Sequence, residues 1–532
     1  MFDKALSATI SAARSDTFGE HLRRSAARLP RKTALIDGDT TLTFAEFDSA
    51  ANRLANALTD AGVQPGDRVA LLSRNCWQFA VTVFGAARAG AILVPLNFVL
   101  TPGEIGPLVA SARPAMLIAQ TALVPTAELA VAQSGTGVAT LVEITDDLAT
   151  AASSGWIPFS ELIATSSDAE PAVVLSPDDP IRIMFTSGTE SRPKGAMHSS
   201  RSLSSEYLSA VVEGGMTGDD VDLHSLPLYH CAQLDCFLGP DIMLGATSIL
   251  LPGPDPTTVL RTIEQHRVTK FFAPPTVWIS LLRSPGFDAA DLSSLRKGYY
   301  GAAAMPVEVL HELQTRLPDL QLWNFYGQTE LAPVATILPP HEQLSHAGSA
   351  GRPVLHVETR VVDKAGEPVP VGEVGEIVHR SPQLALGYWE APEQTAEAFR
   401  GGWFHSGDLG VFDEGGRLRI VDRSKDMINT GGENVASREV EEALYEHAAV
   451  AECAVFATPH PKWVETVTAA VVLTAGSTAT QEELRAHTRE RLAPFKVPTV
   501  VHVVEALPKN PSGKILKREL REQFGHATPA SF

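Results

Sequence analysis

The sequence predicts an α/β fold, with a large N-terminal body of mainly parallel sheets with helices plus a β-subdomain, and a small α+β C-terminal domain. Three observations lead to this prediction. Strand-like apolar runs alternate with helical patterns along the N-terminal body, which is typical of a parallel sheet. Glycine-punctuated, β-rich sequence fills residues 357–421, and a compact mixture of helix and strand patterns follows Arg423. With 532 residues, the chain is also too long for one core.

The elements follow one another in a regular order. A helical pattern covers residues 18–29, and a strand begins at Thr33 and enters a tight turn. Thr43 precedes an amphipathic stretch, 44–61, whose apolar residues share one face of a helix. Further strands are predicted at 66–72, 91–96, 116–119, 248–251 and 270–273, with a helix at 77–90 and a surface connection at 149–180. In the C-terminal unit, helices are predicted at 437–445 and 480–492 and strands at 450–457 and 466–473.

Composition and charge exclude several classes of protein. Hydrophobic residues make up 44% and charged residues 20%, and the net charge is −19. This charge argues against binding to nucleic acid or to an anionic membrane, so local clusters of lysine and arginine must hold any polyanionic ligand. The four cysteines lack metal-ligand spacing, and Cys231 and Cys236 are expected to be packed thiols. No signal peptide or transmembrane segment is apparent, which favours a cytoplasmic protein.

A polar loop follows an apolar, strand-like run that ends at Phe185. Backbone N–H groups and hydroxyls in such a loop bind phosphate, while lysine and arginine supply charge. It is not a Walker A loop, because the lysine precedes the second glycine and no helix-opening Lys-Ser/Thr pair is present. By composition alone, a surface turn is an equal alternative. The candidate phosphate-binding residues are Thr186, Ser187, Gly188, Thr189 and Lys194.

This loop and several motifs further along the chain resemble the adenylate-forming superfamily, which includes acyl-CoA synthetases, nonribosomal adenylation domains and firefly luciferase. The resemblance to acyl-CoA synthetases covers nearly the whole chain, and the motifs occur in the family's order. They are the phosphate loop, Asn324-Phe325-Tyr326-Gly327-Gln328-Thr329-Glu330, Ser406-Gly407-Asp408, Asp422-Arg423-Ser424-Lys425-Asp426 and Pro508-Lys509-Asn510-Pro511-Ser512-Gly513-Lys514.

The resemblance implies a nucleotide site that binds ATP and Mg²⁺. Tyr326 would stack on adenine, and Asp408 and Arg423 would contact the ribose. Thr329 would hydrogen-bond the α-phosphate, and Glu330 is a hard oxygen ligand for Mg²⁺. Asn324 and Gly327 belong to the same nucleotide-binding motif.

The resemblance also assigns roles in the C-terminal domain. Lys514 would bridge the carboxylate and the α-phosphate as a catalytic cation. Lys425 would be the hinge on which this small mobile domain rotates. The segment Gly431-Gly432-Glu433 would face the CoA thiol, although Asn429 replaces the lysine that many acyl-CoA synthetases carry there. The predicted domains are therefore 1–422, the hinge 423–426, and 427–532.

Two segments resemble the walls of the family's acid-binding pocket. His230 matches the histidine at the pocket mouth, beside the substrate carboxylate, although a lone histidine is more often a packed core residue. Tyr300, Gly301 and Ala302 match residues that line the pocket, where small side chains leave room for the substrate.

The implied activity is ATP-dependent activation of a carboxylic acid, fatty or aryl, as acyl-AMP, with transfer to CoA. Asn429 keeps other acceptors open, namely a carrier-protein thiol or an amine, including nitrite-activating chemistry of the diazotase kind. A non-catalytic relative is disfavoured because five motif residues are retained together, namely Thr186, Glu330, Asp408, Arg423 and Lys514. Homodimers are common in this family, and a homodimer is compatible with the resemblance.

Overall fold

The computed structural model describes residues 6, 9–10, 13–145, 152–186, 193–303, 305–423, 426–430, 433–460, 463–509 and 515–525. The helices are α1 Phe18–Arg28, α2 Phe44–Asp60, α3 Trp77–Arg88, α4 Pro102–Ala112, α5 Val124–Ser134, α6 Phe159–Ala164, α7 Ser200–Gly214, α8 Cys231–Gln233, α9 Gly239–Leu244, α10 Pro256–His266, α11 Pro275–Leu282, α12 Val307–Arg316, α13 Pro392–Ala398, α14 Ser437–Tyr445, α15 Gln481–Arg489 and α16 Lys517–Phe524. A π-helical turn, Leu234–Leu238, joins α8 to α9, and five short 3₁₀ turns complete the helical elements of these residues.

The strands in chain order are β1 Thr33–Asp37, β2 Thr40–Thr43, β3 Arg68–Leu72, β4 Ile92–Pro95, β5 Met116–Gln120, β6 Thr140–Ile144, β7 Ile157–Pro158, β8 Pro180–Thr186, β9 Lys194–Ser199, β10 Val221–His224, β11 Thr247–Leu250, β12 Lys270–Phe272, β13 Lys297–Gly301, β14 Gln321–Gly327, β15 Val334–Leu338, β16 Arg352–Pro353, β17 Glu358–Val362, β18 Gly375–Arg380, β19 Gly387–Tyr388, β20 Phe404–Phe412, β21 Leu418–Arg423, β22 Ile428–Thr430, β23 Glu433–Val435, β24 Val450–His460, β25 Val464–Leu473 and β26 Val500–Val503.

Two large sheets form the N-terminal body, as predicted. The first has the order β19-β9-β8-β4-β3-β5-β6-β7, and the second has the order β16-β15-β14-β13-β12-β10-β11-β1-β2. Strands β3 to β8 run parallel in the first sheet, and β1 and β10 to β14 run parallel in the second. Carboxyl ends of parallel strands share one sheet edge, where α/β proteins usually bind ligands.

The apolar stripe predicted for α2 is buried completely. Thr43 caps the helix, because its hydroxyl accepts a hydrogen bond from Glu46 N while the Glu46 carboxylate accepts one from Thr43 N. Five stripe side chains have no exposed surface and join the main core, namely Phe44, Phe47, Ala51, Leu54 and Leu58. Capping and burial therefore agree on where this helix begins and which face packs.

The β-subdomain and the C-terminal unit each have their own sheet. The β-subdomain is antiparallel in the order β17-β18-β20-β21, and its last strand ends at Arg423. The C-terminal sheet, β23-β22-β25-β24 with β26 beside β25, begins at Ile428. Between them, the Asp422 carboxylate accepts a hydrogen bond of 2.6 Å from the Ser437 backbone N–H.

Two parts of the sequence prediction are wrong in detail. The segment 149–180, predicted as a surface connection, contains β7 and α6, and Phe159 of α6 is buried in the main core. The β-rich segment 357–421 contains the helix α13, and β19 leaves this region to pair with β9 of the first sheet. Both helices are under eight residues, so they are too short to show a helical period.

Candidate active site

Asp408 is the centre of a hydrogen-bonded cluster at the edge of the β-subdomain. It lies on β20 directly opposite Arg423 of β21, and the two side chains form an ion pair of 3.1 Å. The Tyr326 hydroxyl and the Gln328 amide each donate a hydrogen bond of 2.7 Å to Asp408 Oδ2. The other carboxylate oxygen, Oδ1, is the one that faces Arg423 Nε, and it accepts no hydrogen bond of normal geometry from the described residues. The predicted ribose and adenine residues thus converge, and Oδ1 keeps acceptor capacity for a ligand hydroxyl.

Tyr388 links the predicted metal ligand to the predicted phosphate loop. Its hydroxyl donates a hydrogen bond of 2.8 Å to Glu330 Oε1, and the Lys194 ammonium lies 5.5 Å from the centre of its ring. Burial and the Glu330 carboxylate both raise the pKa of Tyr388, so the hydroxyl stays protonated and remains a donor. At the base of the loop, Thr186 pairs with Lys194 in the β8–β9 ladder, and its hydroxyl donates to the Lys194 carbonyl at 3.3 Å.

His230 forms the N-cap of α8, close to Thr329. Its Nδ1 accepts a hydrogen bond of 3.2 Å from the backbone N–H of Ala232. A ring nitrogen that accepts carries no proton, so neutral His230 bears its proton on Nε2. The next residue, Cys231, has its sulfur 3.3 Å from Thr329 Oγ1, which joins the histidine segment to the Tyr326–Glu330 motif.

Backbone packing explains two glycines of the site. A Cβ at Gly327 would lie 1.7 Å from the Pro333 carbonyl oxygen, and one at Gly301 would lie 2.5 Å from that of Phe325. Both positions therefore require glycine for close strand contact, whatever they do for a ligand. Ala302 follows with a left-handed backbone, φ 65°, and turns the chain away from β13.

Other predicted site residues have structural contacts. Tyr300 is 2% exposed, and its hydroxyl donates a 2.6 Å hydrogen bond to Gln343. The Asn324 amide donates to the Ser349 carbonyl at 2.9 Å, and Glu433 is exposed on β23. Their ligand roles stay predictions. Seven further predicted residues lie outside the described residues: Ser187, Gly188, Thr189, Lys425, Gly431, Gly432 and Lys514.

Two side chains that hydrogen-bond predicted site residues, Tyr388 and Gln328, were not themselves predicted as site residues. Gln328 stands inside the recognised motif, but its amide role depends on Asp408 and Ser406, about eighty residues away in sequence. Tyr388 likewise meets Glu330 only in the folded chain. The Gly-Tyr pair at 387–388 within an apolar stretch was the one signal available.

A second cluster of charged side chains lies in the core, where its members pair with one another. Asp222, His224 and Asp241 are fully buried and have the spacing of a metal site. The Lys270 ammonium, however, lies 3.2 Å from Asp222 and also contacts Asp241, so it supplies the positive charge. His224 in turn is 2.7 Å from the Gln233 amide of α8. The cluster therefore supports the helix that His230 caps.

Comparison with known proteins defines the class. The AMP-binding enzyme family matches residues 22–389, and the AMP-binding enzyme C-terminal domain matches residues 439–514. The chain belongs to this family of adenylate-forming enzymes, as the sequence motifs predicted. Within the family, it is one of the acyl-CoA synthetases.

Individual relatives agree over nearly the full length. A feruloyl-CoA synthase from an Amycolatopsis species is 39% identical over 96% of this chain and 100% of its own. The structure of an anthranilate CoA ligase in complex with anthranoyl-AMP has a TM-score of 0.88 and 28% identity, covering 95% of this chain and 97% of that one. The amide bond synthetase of Marinactinospora thermotolerans has a TM-score of 0.85 and 31% identity, covering 95% and 100%.

Where the chain is described, none of its helices combines the length and the hydrophobicity that crossing a membrane requires. All four cysteines are buried free thiols, which agrees with the packed thiols predicted for Cys231 and Cys236.

Proposed function

We propose that the chain is an AMP-forming acid–CoA ligase whose acid is aromatic. A carboxylate oxygen of the acid attacks the α-phosphorus of ATP, and pyrophosphate leaves. The CoA thiol, as thiolate, then attacks the acyl carbon of the mixed anhydride, and AMP leaves with that carboxylate oxygen. The aryl substrates named for the feruloyl-CoA synthase and the anthranilate ligase support the acid class.

One observation carries this proposal: the short motif Tyr326–Glu330 contacts Asp408 through its first residue, and its last residue contacts Tyr388. The predicted nucleotide and metal residues therefore lie along one segment. Asp408 Oδ1 accepts from a ribose hydroxyl, while Arg423 and Gln328 hold the carboxylate in position. The protonated Nε2 of His230 donates toward the substrate carboxylate. The site thus orients the nucleotide at one end and the acid at the other.

Glu330 has the right chemistry to hold Mg²⁺. Carboxylate oxygens are the ligands that this ion prefers, and the Tyr388 hydroxyl fixes the orientation of one of them. When bound, Mg²⁺ would offset the negative charge of the phosphate chain. Lys194, beside Tyr388, adds a further positive charge on the same side.

The two half-reactions need different conformations in this proposal. The small domain, 427–532, rotates at Lys425 of the hinge 423–426, which withdraws Lys514 and brings Gly431, Gly432 and Glu433 toward the CoA thiol. The sheet of the β-subdomain ends at Arg423 and the sheet of the C-terminal unit begins at Ile428, which supports a domain boundary between these residues. We further propose a cytoplasmic enzyme, in which a homodimer is compatible with the fold.

Pyrophosphate release tests the function directly. We expect release to rise with turnover only when an aryl acid and CoA are both present with ATP and Mg²⁺. A panel of aliphatic and aryl acids, each assayed with and without CoA, gives the acid class. If only long aliphatic acids were turned over, the aromatic assignment would be wrong. If no acid stimulated pyrophosphate release, the chain would not be an acid–CoA ligase.

An amine is the second candidate acceptor. The fold likeness to an amide bond synthetase and the presence of Asn429 both favour it. Asn429 is exposed on β22, and its backbone N–H donates to Glu465 at 2.8 Å. Sustained turnover with an amine in place of CoA, followed by mass spectrometry of the amide, would identify this acceptor.

Tyr388→Phe tests the proposed support of Glu330. Removing the hydroxyl deletes one hydrogen bond to a carboxylate, and we expect acid-dependent pyrophosphate release to fall about 10–100-fold. The Mg²⁺ concentration for half-maximal rate should rise as well. Tyr445→Phe is the matched control in the small domain, where the hydroxyl accepts from Cys453 N at 3.3 Å. Equal rates for both variants would show that Tyr388 does not support the metal ligand.

A further inference from the structure

A buried carboxyl group without a normal hydrogen-bond partner lies beside the helical segment that begins at His230. Glu206 is on α7 and has no exposed surface. Neither of its carboxyl oxygens makes a hydrogen bond of normal geometry with the described residues. The polar group next to it is the thiol of Cys236, on the π-helical turn, and a thiol is a weak donor. Such a buried polar group without a strong partner is uncommon in a native protein and calls for an explanation.

Burial favours the neutral form of the Glu206 carboxyl group. Burial raises its pKa well above the usual range, and the neighbouring Asp235 raises it further. Arg182, the nearby cation, is already ion-paired with Asp235, which also accepts a hydrogen bond of 3.4 Å from the Tyr207 hydroxyl. A neutral carboxyl group offers one O–H donor and one carbonyl acceptor. It therefore matches a ligand group that can accept and donate, such as a hydroxyl.

The position of Glu206 relates it to the reacting end of the site. Cys231 contacts Thr329, and both Glu330 and Glu206 are close enough to Cys231 to raise the pKa of its thiol. From Cys231 to Cys236 the helical segment advances about 7–8 Å. One aromatic ring with a short side chain has this length between its carboxylate and a ring substituent.

The surroundings of Cys236 are aromatic. The ring of Phe237 stacks on Phe272 with centroids 4.5 Å apart and meets Tyr299 edge-on at 5.2 Å. These rings are buried and packed against one another, so the cluster offers an apolar wall beside which an aryl ring can pack. The Glu206 carboxyl group, as a polar group beside this aromatic cluster, would distinguish one aryl acid from another.

We propose that Glu206 determines specificity by hydrogen-bonding a ring hydroxyl of the aryl acid, so that the enzyme selects hydroxylated aryl acids. This inference rests on the proposed function and names its substrate class more narrowly. A site built to hydrogen-bond a hydroxyl rejects the analogue that lacks it, because its own polar group then stays unpaired.

The test compares kcat/KM for pyrophosphate release with cinnamic acid and with its 2-, 3- and 4-hydroxy derivatives, in the presence of CoA. In the natural protein we expect one hydroxylated acid to exceed cinnamic acid by about 10–100-fold. Glu206→Gln keeps a donor and an acceptor and should retain most of this preference. Glu206→Leu, which keeps the approximate size but not the polarity, should bring the ratio close to one.

Each outcome is decisive because the ratio is measured within one preparation, where a loss of folded protein cancels. Glu143→Gln is the matched control, because Glu143 is also buried but accepts hydrogen bonds from Thr121 and Ser153. This variant should keep the preference of the natural protein for the hydroxylated acid. A natural protein without preference for any hydroxylated acid overturns the inference even if Glu206→Leu does not fold. A Leu variant that keeps the natural ratio also overturns it. Absence of pyrophosphate release with every acid would instead reject the ligase itself.

Discussion

Lys514→Ala is expected to slow acyl-adenylate formation by about 10²–10³-fold, the usual cost of losing one fixed donor at a charged transition state. Attack of a carboxylate on the α-phosphorus brings two anions together, and in the proposed cycle Lys514 is the cation between them. The second half-reaction, in which CoA attacks a preformed acyl-adenylate, should keep its rate, because the proposed rotation of the small domain withdraws the lysine before this step. Single-turnover assays of each half-reaction measure the two effects separately.

Lys509→Ala is the matched control for this prediction. It lies in the same basic C-terminal stretch, and its ammonium pairs with Glu452 of the same domain at 2.6 Å. We expect both half-reactions of this variant to be unchanged. Equal loss of both half-reactions in Lys514→Ala would contradict the two-conformation scheme.

Asp408→Ala is expected to raise the KM for ATP by about 10²-fold or more, since hydrogen bonds to a charged group are among the strongest in proteins. The substitution removes the proposed ribose acceptor and also leaves Arg423, Tyr326 and Gln328 without their common partner. The substitution should lower kcat by a smaller factor than it raises KM, because in the proposed site other residues hold the reacting phosphorus. Initial rates over a wide range of ATP concentration separate the two constants.

Asp413→Ala serves as the control for Asp408. Asp413 lies in the turn between β20 and β21 of the same sheet, where it accepts hydrogen bonds from Arg417. The Asp413→Ala variant should have a KM for ATP near that of the natural protein. The thermal unfolding temperature of each variant reports any loss of stability. An Asp408 variant with an unchanged KM and a normal unfolding temperature would remove Asp408 from the nucleotide site.

Local sequence patterns predicted the elements whose formation depends on interactions between residues close together in the chain. The stripe of α2 and its Thr43 cap act within one helix, so spacing and residue type were sufficient. The parallel alternation of β3, α3 and β4 was also visible, because both strands are apolar apart from Arg68. The helices α6 and α13 were missed because a segment under two turns shows no helical period.

The site was predicted through its motifs and only in part through its contacts. Family resemblance supplied Asp408, Arg423 and Tyr326, and the structure brings these three side chains together. It gave no sign of Tyr388, whose partner Glu330 is 58 residues earlier in the chain. Glu206 was missed for a related reason, since its unpaired state depends on what surrounds it in three dimensions. Hydrogen bonds between side chains that are distant in the chain leave no periodic trace in a sequence.

The most direct test of the central claim, that this chain activates acids by adenylation, follows the oxygen atoms of the acid. The enzyme is incubated with ATP, Mg²⁺, CoA and a hydroxylated aryl acid carrying ¹⁸O in both carboxylate positions. Mass spectrometry of the AMP should then find one ¹⁸O transferred per turnover, because the mixed anhydride cleaves at its acyl carbon. Unlabelled AMP, or label recovered in orthophosphate with ADP as the nucleotide product, would contradict the account.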